Sequence, residues 1–276
     1  MGVGEIGERR IYATVLEAYG VRVRLEADDP EIFEQVRSIS STAFVNRVRF
    51  FDSPEADFEV RYRFSTDEGG QVRYDLDGLR TGTFKESEGF SRYLNSTIRA
   101  HVAAKTNSWI FVHAGVVEWK GRAIILPGQS HHGKSTLVSE LIRIGAGYMS
   151  DEFAILDKDG FVHPFDRDLA MRFDGGEVQV DVSPDQFGSK RISGPLPAGM
   201  VLFTKFSAAG EWEPEEISVG NGILAAIPQV IPVSFNTKFA LKVLNTTFNR
   251  AIIIKSDRGE AKETAPRILE YFDESI

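Results

Sequence analysis

RAIILPGQSHHGKSTLVSELIRIG, residues 122–145, carries the pattern on which the fold turns. AIIL stands directly before a glycine-rich turn, and a continuous apolar run of this kind suits a strand buried on both faces. STLVSELIRIG, directly after the turn, has helical periodicity, with Leu137, Leu141 and Ile144 on one face and Gly145 as the stop. GQSHHGKST between them fits G-x-x-x-x-G-K-[ST], with Gly128, Gly133, Lys134 and Ser135 at the fixed positions.

Each fixed position has a physical task. Gly128 and Gly133 allow backbone angles and close approaches that a Cβ would block. The loop N–H groups, with the positive end of the following helix, form a cradle for phosphate. Lys134 can reach β- and γ-oxygens as a point charge, and the Ser135 hydroxyl can ligate Mg²⁺. Gln129, Ser130, His131, His132 and Thr136 complete the expected nucleotide-binding set. His131 and His132 either contact phosphate or substrate or face solvent above a backbone-driven site. Adjacent histidines point apart and make a poor metal site without further ligands. The plain alternative for the whole stretch is a strand–helix turn that binds nothing.

Upstream, WIFVHAGVVEW (residues 109–119) is a second dense apolar strand, separated from RAIILP by a Lys-Gly turn. Downstream, GYMSDEFAIL places Asp151 and Glu152 beside a short strand, at a distance from Lys134 that suits a strand lying next to the loop strand. Phosphoryl transfer needs a carboxylate for the metal and often another to orient or deprotonate the attacking hydroxyl. Adjacent exposed acids otherwise mark a solvated turn. DKDGF (residues 157–161) lacks the third ligand and terminal Glu of a calcium loop and reads as a hairpin turn. His101 and His163 read as structural histidines.

The first hundred residues differ in character. YATVLEAYGVRVRL alternates apolar and polar residues as one or two strands, and Asp29–Pro30 offer an N-cap and first-turn proline for a short helix through Ile39. DFEVRYRF and QVRYDL alternate again around the turn-rich STDEGG. Ser87 followed by Gly89 to Ala104 reads as a helix, with Phe90, Leu94, Ile98 and Val102 on one face. The expected division is an α+β region over residues 1–100, an acceptor-docking element or a stabilising cap, and a nucleotide-binding domain over residues 101–276.

Of the 276 residues 42% are hydrophobic, enough for a substantial core, and the formal net charge is -8. No basic stripe accompanies that charge, so nucleic acid is not an expected partner. Cysteine is absent, which excludes disulfides and thiolate metal sites. MGVGEIGERRIY lacks the apolar run of a signal peptide, and Ile6 breaks the myristoylation pattern begun by Gly2. No apolar stretch approaches the ~20 residues of a membrane span. The expectation is a cytoplasmic protein with no membrane partner.

FVHAGVVEWKGRAIILPGQSHHGKSTLVSELIRIGAGYMSDEFAIL resembles the HPr kinase/phosphorylase family, and in particular its diverse relatives outside sugar uptake. The shared features are the histidine strand with His113, the strand–loop–helix of residues 128–136, and the Ser150-Asp151-Glu152 segment, in that order. Fainter echoes occur in AGMVLFTKF, GEWEPEEIS and SDRGEAKETAPRILEYF. The resemblance implies an α/β fold of the phosphoenolpyruvate-carboxykinase type, a mixed sheet with flanking helices. It implies Asp151 as general base toward a Ser hydroxyl, Glu152 and Ser135 near Mg²⁺, and His113 close to the phosphates. The plain alternative for His113 is a core histidine on a buried strand. A homo-oligomer is also implied by the resemblance, since HPr kinases assemble as rings.

The chain departs from that family in four places. His131 replaces the small mid-loop residue, and Glu152 stands where HPr kinases carry Asp. No Arg-Gly-(Leu/Met)-Gly signature follows Asp157. IPVSFNTKF, with Lys238 as its only cation, is at best an echo of their Arg-Pro-Gly-Arg-Asn loop. The expected activity is therefore a kinase using Mg²⁺ and ATP, or another nucleoside triphosphate, to phosphorylate a hydroxyl of a protein, peptide or small molecule other than HPr. Alternatives are a nucleotide-binding sensor or assembly protein without transfer, and an NTPase coupled to a partner, with Asp151 as its metal-side acid.

Overall fold

The computed structural model describes residues 11–52, 56–66, 71–84, 87–128, 133–172, 179–231 and 236–276. It is a mixed α/β protein of two compact units, Met1–Thr106 and Asn107–Ile276.

In the first unit the strands are β1 (Tyr12–Ala18), β2 (Val21–Ala27), β3 (Arg49–Phe51), β4 (Val60–Thr66), β5 (Val72–Leu76) and β6 (Leu79–Phe84), in the order β3-β1-β2-β4-β5-β6. Helices α1 (Pro30–Ser41) and α2 (Ser87–Lys105) accompany them. YATVLEAYGVRVRL forms two strands because Tyr19 and Gly20 both take positive φ, 51° and 76°, which makes the tight hairpin turn. Asp29 caps α1 by accepting from Glu31 N and Ile32 N. The connection through α1 and β3 returns the chain so that β4 pairs parallel with β2. Phe90, Leu94, Ile98 and Val102 of α2 are all buried, as their spacing requires. His101 pairs with the Tyr62 hydroxyl at 2.6 Å. Most of STDEGG lies outside the described residues, and β3 and β6 are strands that the alternation pattern did not reveal.

The second unit contains β7 (Ile110–Trp119), β8 (Arg122–Pro127), α3 (Lys134–Arg143), β9 (Gly147–Ser150), β10 (Phe153–Leu156), β11 (Phe161–His163), β12 (Leu169–Arg172), β13 (Gln179–Val182), β14 (Leu196–Phe206), β15 (Glu215–Glu216), α4 (Val219–Ala226), α5 (Thr237–Phe248), β16 (Ile252–Arg258) and α6 (Ala261–Ser275). Its main sheet runs β11-β10-β7-β8-β14-β16-β15, with β9 also on β7. β8, β14 and β16 are parallel, and β7 is antiparallel to β8.

Alternate residues of the central strands serve two cores. Ile124, Leu126, Met200, Leu202 and Ile254 pack with α3 and α6, whereas Ala123, Ile125, Val201 and Ile253 pack with α4 and α5. Both faces of the sheet are thus covered, which is why AIIL is continuously apolar. Within α3, Leu137 and Leu141 are buried as expected, but Ile144 is 41% exposed. Ile144 is the C-cap, already turned off the helical face, and Val138 and Ile142 fill that face instead.

The strand after α3 does not lie beside the loop strand. β9 and β10 both pair antiparallel with β7, and β14 occupies the free side of β8. Spacing along the chain reports reach and not neighbour order, so this placement was open to either edge of the hairpin. Gly115 of β7 lets α3 sit close, because a Cβ there would stand 2.6 Å from Val138 Cγ2. Gly115→Val is expected to lower unfolding free energy by about 1–3 kcal/mol through overpacking. A chemical-denaturation midpoint equal to wild type would contradict this packing. No helix among the described residues is long and apolar enough to cross a membrane.

Candidate functional site

The carboxyl ends of β8, β14 and β16 share one edge of the sheet, the edge at which ligands bind in open α/β sheets. β8 delivers its chain there, and Gly128 N donates to His113 O at 3.2 Å. Gln129, Ser130, His131 and His132 lie outside the described residues. The chain re-enters at Gly133, the N-cap of α3, with φ 73°. Glycine adopts that left-handed conformation without the steric cost a Cβ would add. Among the described residues no side chain caps this end of the helix, which leaves its first-turn N–H groups to an anion. Thr136 is exposed in that first turn.

The acids are placed by a break in a strand. Ser150 of β9 faces Val116 of β7, and Phe153 of β10 faces His113, which leaves Asp151 and Glu152 in a bend opposite Ala114 and Gly115. Ser150 Oγ accepts from Glu152 N at 3.1 Å and Phe153 N at 2.9 Å, a side-chain turn that a serine favours. Ala114 N donates to Glu152 O at 3.1 Å, anchoring the bend to β7 at the level where β8 ends.

Asp151 is 5% exposed. Its Oδ2 accepts from Ala170 N at 2.8 Å and from Ser135 Oγ at 3.1 Å. The Tyr148 hydroxyl lies 3.4 Å from Oδ1 and donates to Arg167 O at 2.8 Å. Burial raises the Asp151 pKa above the usual carboxylate range, opposed by the Ala170 N–H, the Arg167 charge and Ser135. Glu152 is engaged differently. Its Oε2 accepts from Arg167 Nη1 at 2.6 Å, and Arg167 Nη2 reaches Asp181 at 3.2 Å.

Lys134 Nζ stands 3.3 Å from His113 Nε2, and His113 Nδ1 is 3.0 Å from Glu152 O. A neutral imidazole satisfies both partners, with Nδ1–H donating to the carbonyl and Nε2 accepting from the ammonium. Burial and then Lys134 lower the His113 pKa. Burial also lowers Lys134, to about 8, against the attraction of Asp151.

Lys134, His113, Ser135 and Asp151 are thus brought together at the start of α3, while the Glu152 carboxylate is bound to Arg167. Magnesium prefers hard oxygens and takes one or two carboxylates plus substrate phosphates instead of an all-protein cage. Ser135 Oγ and Asp151 Oδ2, 3.1 Å apart, fit that preference. No cluster of three or more His, Asp or Glu able to hold a metal occurs among the described residues. Tyr148, Arg167 and the Ala170 N–H escaped the sequence reading. Tyr148 and Arg167 carry no motif, and a backbone donor leaves no trace in side-chain identity.

No family model matches the chain, and no curated protein matches it. Among solved structures it is similar to the HPr(Ser) kinase/phosphatase from Coxiella burnetii, over 59% of this chain and 93% of that one, at 13% identity and a TM-score of 0.29.

Proposed function

We propose that the chain binds a magnesium nucleoside triphosphate on residues 128–136 and transfers its γ-phosphate to a hydroxyl, a serine of a protein or peptide or a small-molecule alcohol, in an acceptor other than HPr. The observation that carries the reading is the Ser135–Asp151 hydrogen bond at the start of α3, beside the half-buried Lys134. The family resemblance of residues 109–156 adds a phosphoenolpyruvate-carboxykinase-type core to the same proposal.

In this reading α3 and the loop N–H groups hold the phosphates, and Lys134 leaves His113 for the β- and γ-oxygens. Ser135 and Asp151 would hold Mg²⁺, which neutralises charge developing on the transferred group. Arg167 keeps Glu152 beside that shell and not in it. This reassigns Asp151 toward the metal, where the resemblance alone implies a proton acceptor. A second reading, a nucleotide sensor without transfer, is favoured by the burial of Asp151 and the engagement of its Oδ2 by Ala170 N.

The test is magnesium-dependent transfer of labelled γ-phosphate to serine-containing peptides and alcohols. Labelled acceptor supports the kinase. Label appearing only as inorganic phosphate supports an NTPase, and unreacted but bound nucleotide supports the sensor. The pH profile probes Lys134 directly. Phosphate binding needs its ammonium form, so affinity is expected to hold below pH about 8 and to fall above it. The limiting slope is about tenfold per pH unit. Titration calorimetry showing constant affinity well above that pH would remove Lys134 from the role.

A further inference from the structure

Arg258 closes β16 at the same edge of the sheet and is 2% exposed. Its Nη2 donates to Gly133 O at 2.9 Å and its Nη1 to Gly259 O at 3.0 Å. Nε has no hydrogen-bond partner among the described residues. The guanidinium lies over the Phe206 ring, 5.6 Å from its centroid. Its polar partners are therefore backbone carbonyls, and no carboxylate pairs with it among the described residues. Glu260, exposed on the following residue but one, is the acid that acts on it at longer range.

This arrangement is unfavourable in the unliganded protein for two separate reasons. A buried charge without a counter-ion is costly. A cation beside a helix N-terminus also opposes the helix dipole, since that end already carries partial positive charge. α3 begins one residue after Gly133, so both positive features meet at one point. Gly133 itself makes room for the arginine, because a Cβ on it would stand 2.5 Å from Arg258 Nη2. Hydrogen bonding to Gly133 O does not by itself explain the charge, since Leu137 N already satisfies that carbonyl at 3.0 Å. An uncapped helix start and a buried cation with an unpartnered N–H are independent observations, and both call for an anion.

We propose that Arg258 is a positioning residue of the phosphate loop, fixing Gly133 from the neighbouring strand and contributing a buried positive charge that the polyphosphate of the bound nucleotide balances. This rests on the nucleotide reading of residues 128–136 and extends it to a second element of the sheet. Lys134 would be the cation that reaches the phosphates, and Arg258 the cation that acts through Gly133. The distance in sequence between them explains why the glycine-rich motif does not include it.

The experiment compares wild type, Arg258→Met and Arg258→Lys for unliganded Tm and for binding of Mg-ATP, Mg-GTP and inorganic tripolyphosphate. Methionine retains much of the length and apolar contact with Phe206 while removing the charge. The expected result is an unliganded Arg258→Met protein about as stable as wild type, with affinity for all three ligands reduced at least about tenfold, the scale of one charge-assisted hydrogen bond. Arg258→Lys should recover part of that loss, because it restores charge without the two-carbonyl bridge. Equal affinity in wild type and Arg258→Met overturns the inference while leaving the nucleotide reading intact. Failure of wild type itself to bind any of the three overturns both. If Arg258→Met does not fold, the lysine variant decides: affinity unchanged for tripolyphosphate overturns the proposal, and a loss without change in unliganded Tm supports it.

Discussion

Mg-ATP at about a hundred times its Kd is expected to raise the Tm of the wild-type protein by roughly 5–10 °C and to leave that of Lys134→Ala unmoved. Ligand at that excess adds about 2.7 kcal/mol to the folded state. A chain of this size gains ~2–4 °C per kcal/mol. The contrast between the two proteins is informative because the substitution carries little structural penalty of its own. Lys134 is the first residue of α3, where alanine is well tolerated, and burial already disfavours its ammonium, holding its pKa at about 8. His113 Nε2, 3.3 Å from its ammonium, is an imidazole and not a carboxylate. Unliganded Lys134→Ala should therefore unfold near the wild-type temperature. Calorimetric scans with ATP, GTP and ADP, with and without Mg²⁺, make the measurement. Equal shifts in both proteins would place the nucleotide away from Lys134, and no shift in either would leave the loop without a ligand.

What was legible in advance follows from which interactions are local. The strand–loop–helix around Gly133 could be read because its signals, AIIL, the two glycines and the period of Leu137 and Leu141, all lie within one short segment. Asp29 as a cap belongs to the same class. Strand neighbours do not. β7 has two edges, and nothing local to MSDEFAIL says that β9 and β10 take the edge opposite β8. Ile144 fits helical spacing in the sequence, yet the helix ends at Arg143 and the next residue leaves the apolar face. β3 and β6 escaped because each is short and defined by its partner strand.

The candidate site divides in the same way. Lys134, Ser135 and Asp151 sit in recognisable local patterns, and the fold brings Ser135 within hydrogen-bonding range of Asp151 and Lys134 within range of His113. Glu152 looked equivalent to Asp151 because the two are adjacent. The bend at Ser150 separates them, and Arg167, fifteen residues on, takes the Glu152 carboxylate. The Ala170 N–H that holds Asp151 belongs to β12, an element whose role is visible only once the chain is folded back over β9. Arg258 is more remote still, 125 residues from Gly133. Long-range tertiary partners, not weak motifs, account for what the sequence concealed.

Asp151→Asn separates the roles open to this carboxylate. The amide preserves shape and offers one oxygen, so either the Ala170 N–H or the Ser135 hydroxyl can keep an acceptor. It removes the negative charge on which Mg²⁺ binding and proton acceptance both depend. Without ligand the variant should be at least as stable as wild type near neutral pH. Burial raises the Asp151 pKa in the folded protein, so wild type loses this contribution as pH rises through that raised value, and asparagine has no such loss. If Asp151 serves the metal with Ser135, affinity for ATP in the presence of Mg²⁺ should fall about 10–100-fold, while binding of metal-free ATP stays close to wild type. Phosphoryl transfer should fall with it. If Asp151 acts only on the acceptor proton, Mg-ATP binding is unchanged and transfer falls about 10²–10⁴-fold. Paired calorimetric titrations, with Mg²⁺ and with a chelator, distinguish these outcomes before any acceptor is known. The geometry favours the first, because Ser135 reaches Asp151 from the turn of α3 that would meet the phosphates. Wild-type binding together with wild-type transfer in Asp151→Asn would sink both assignments and leave the buried carboxylate as an anchor for β12.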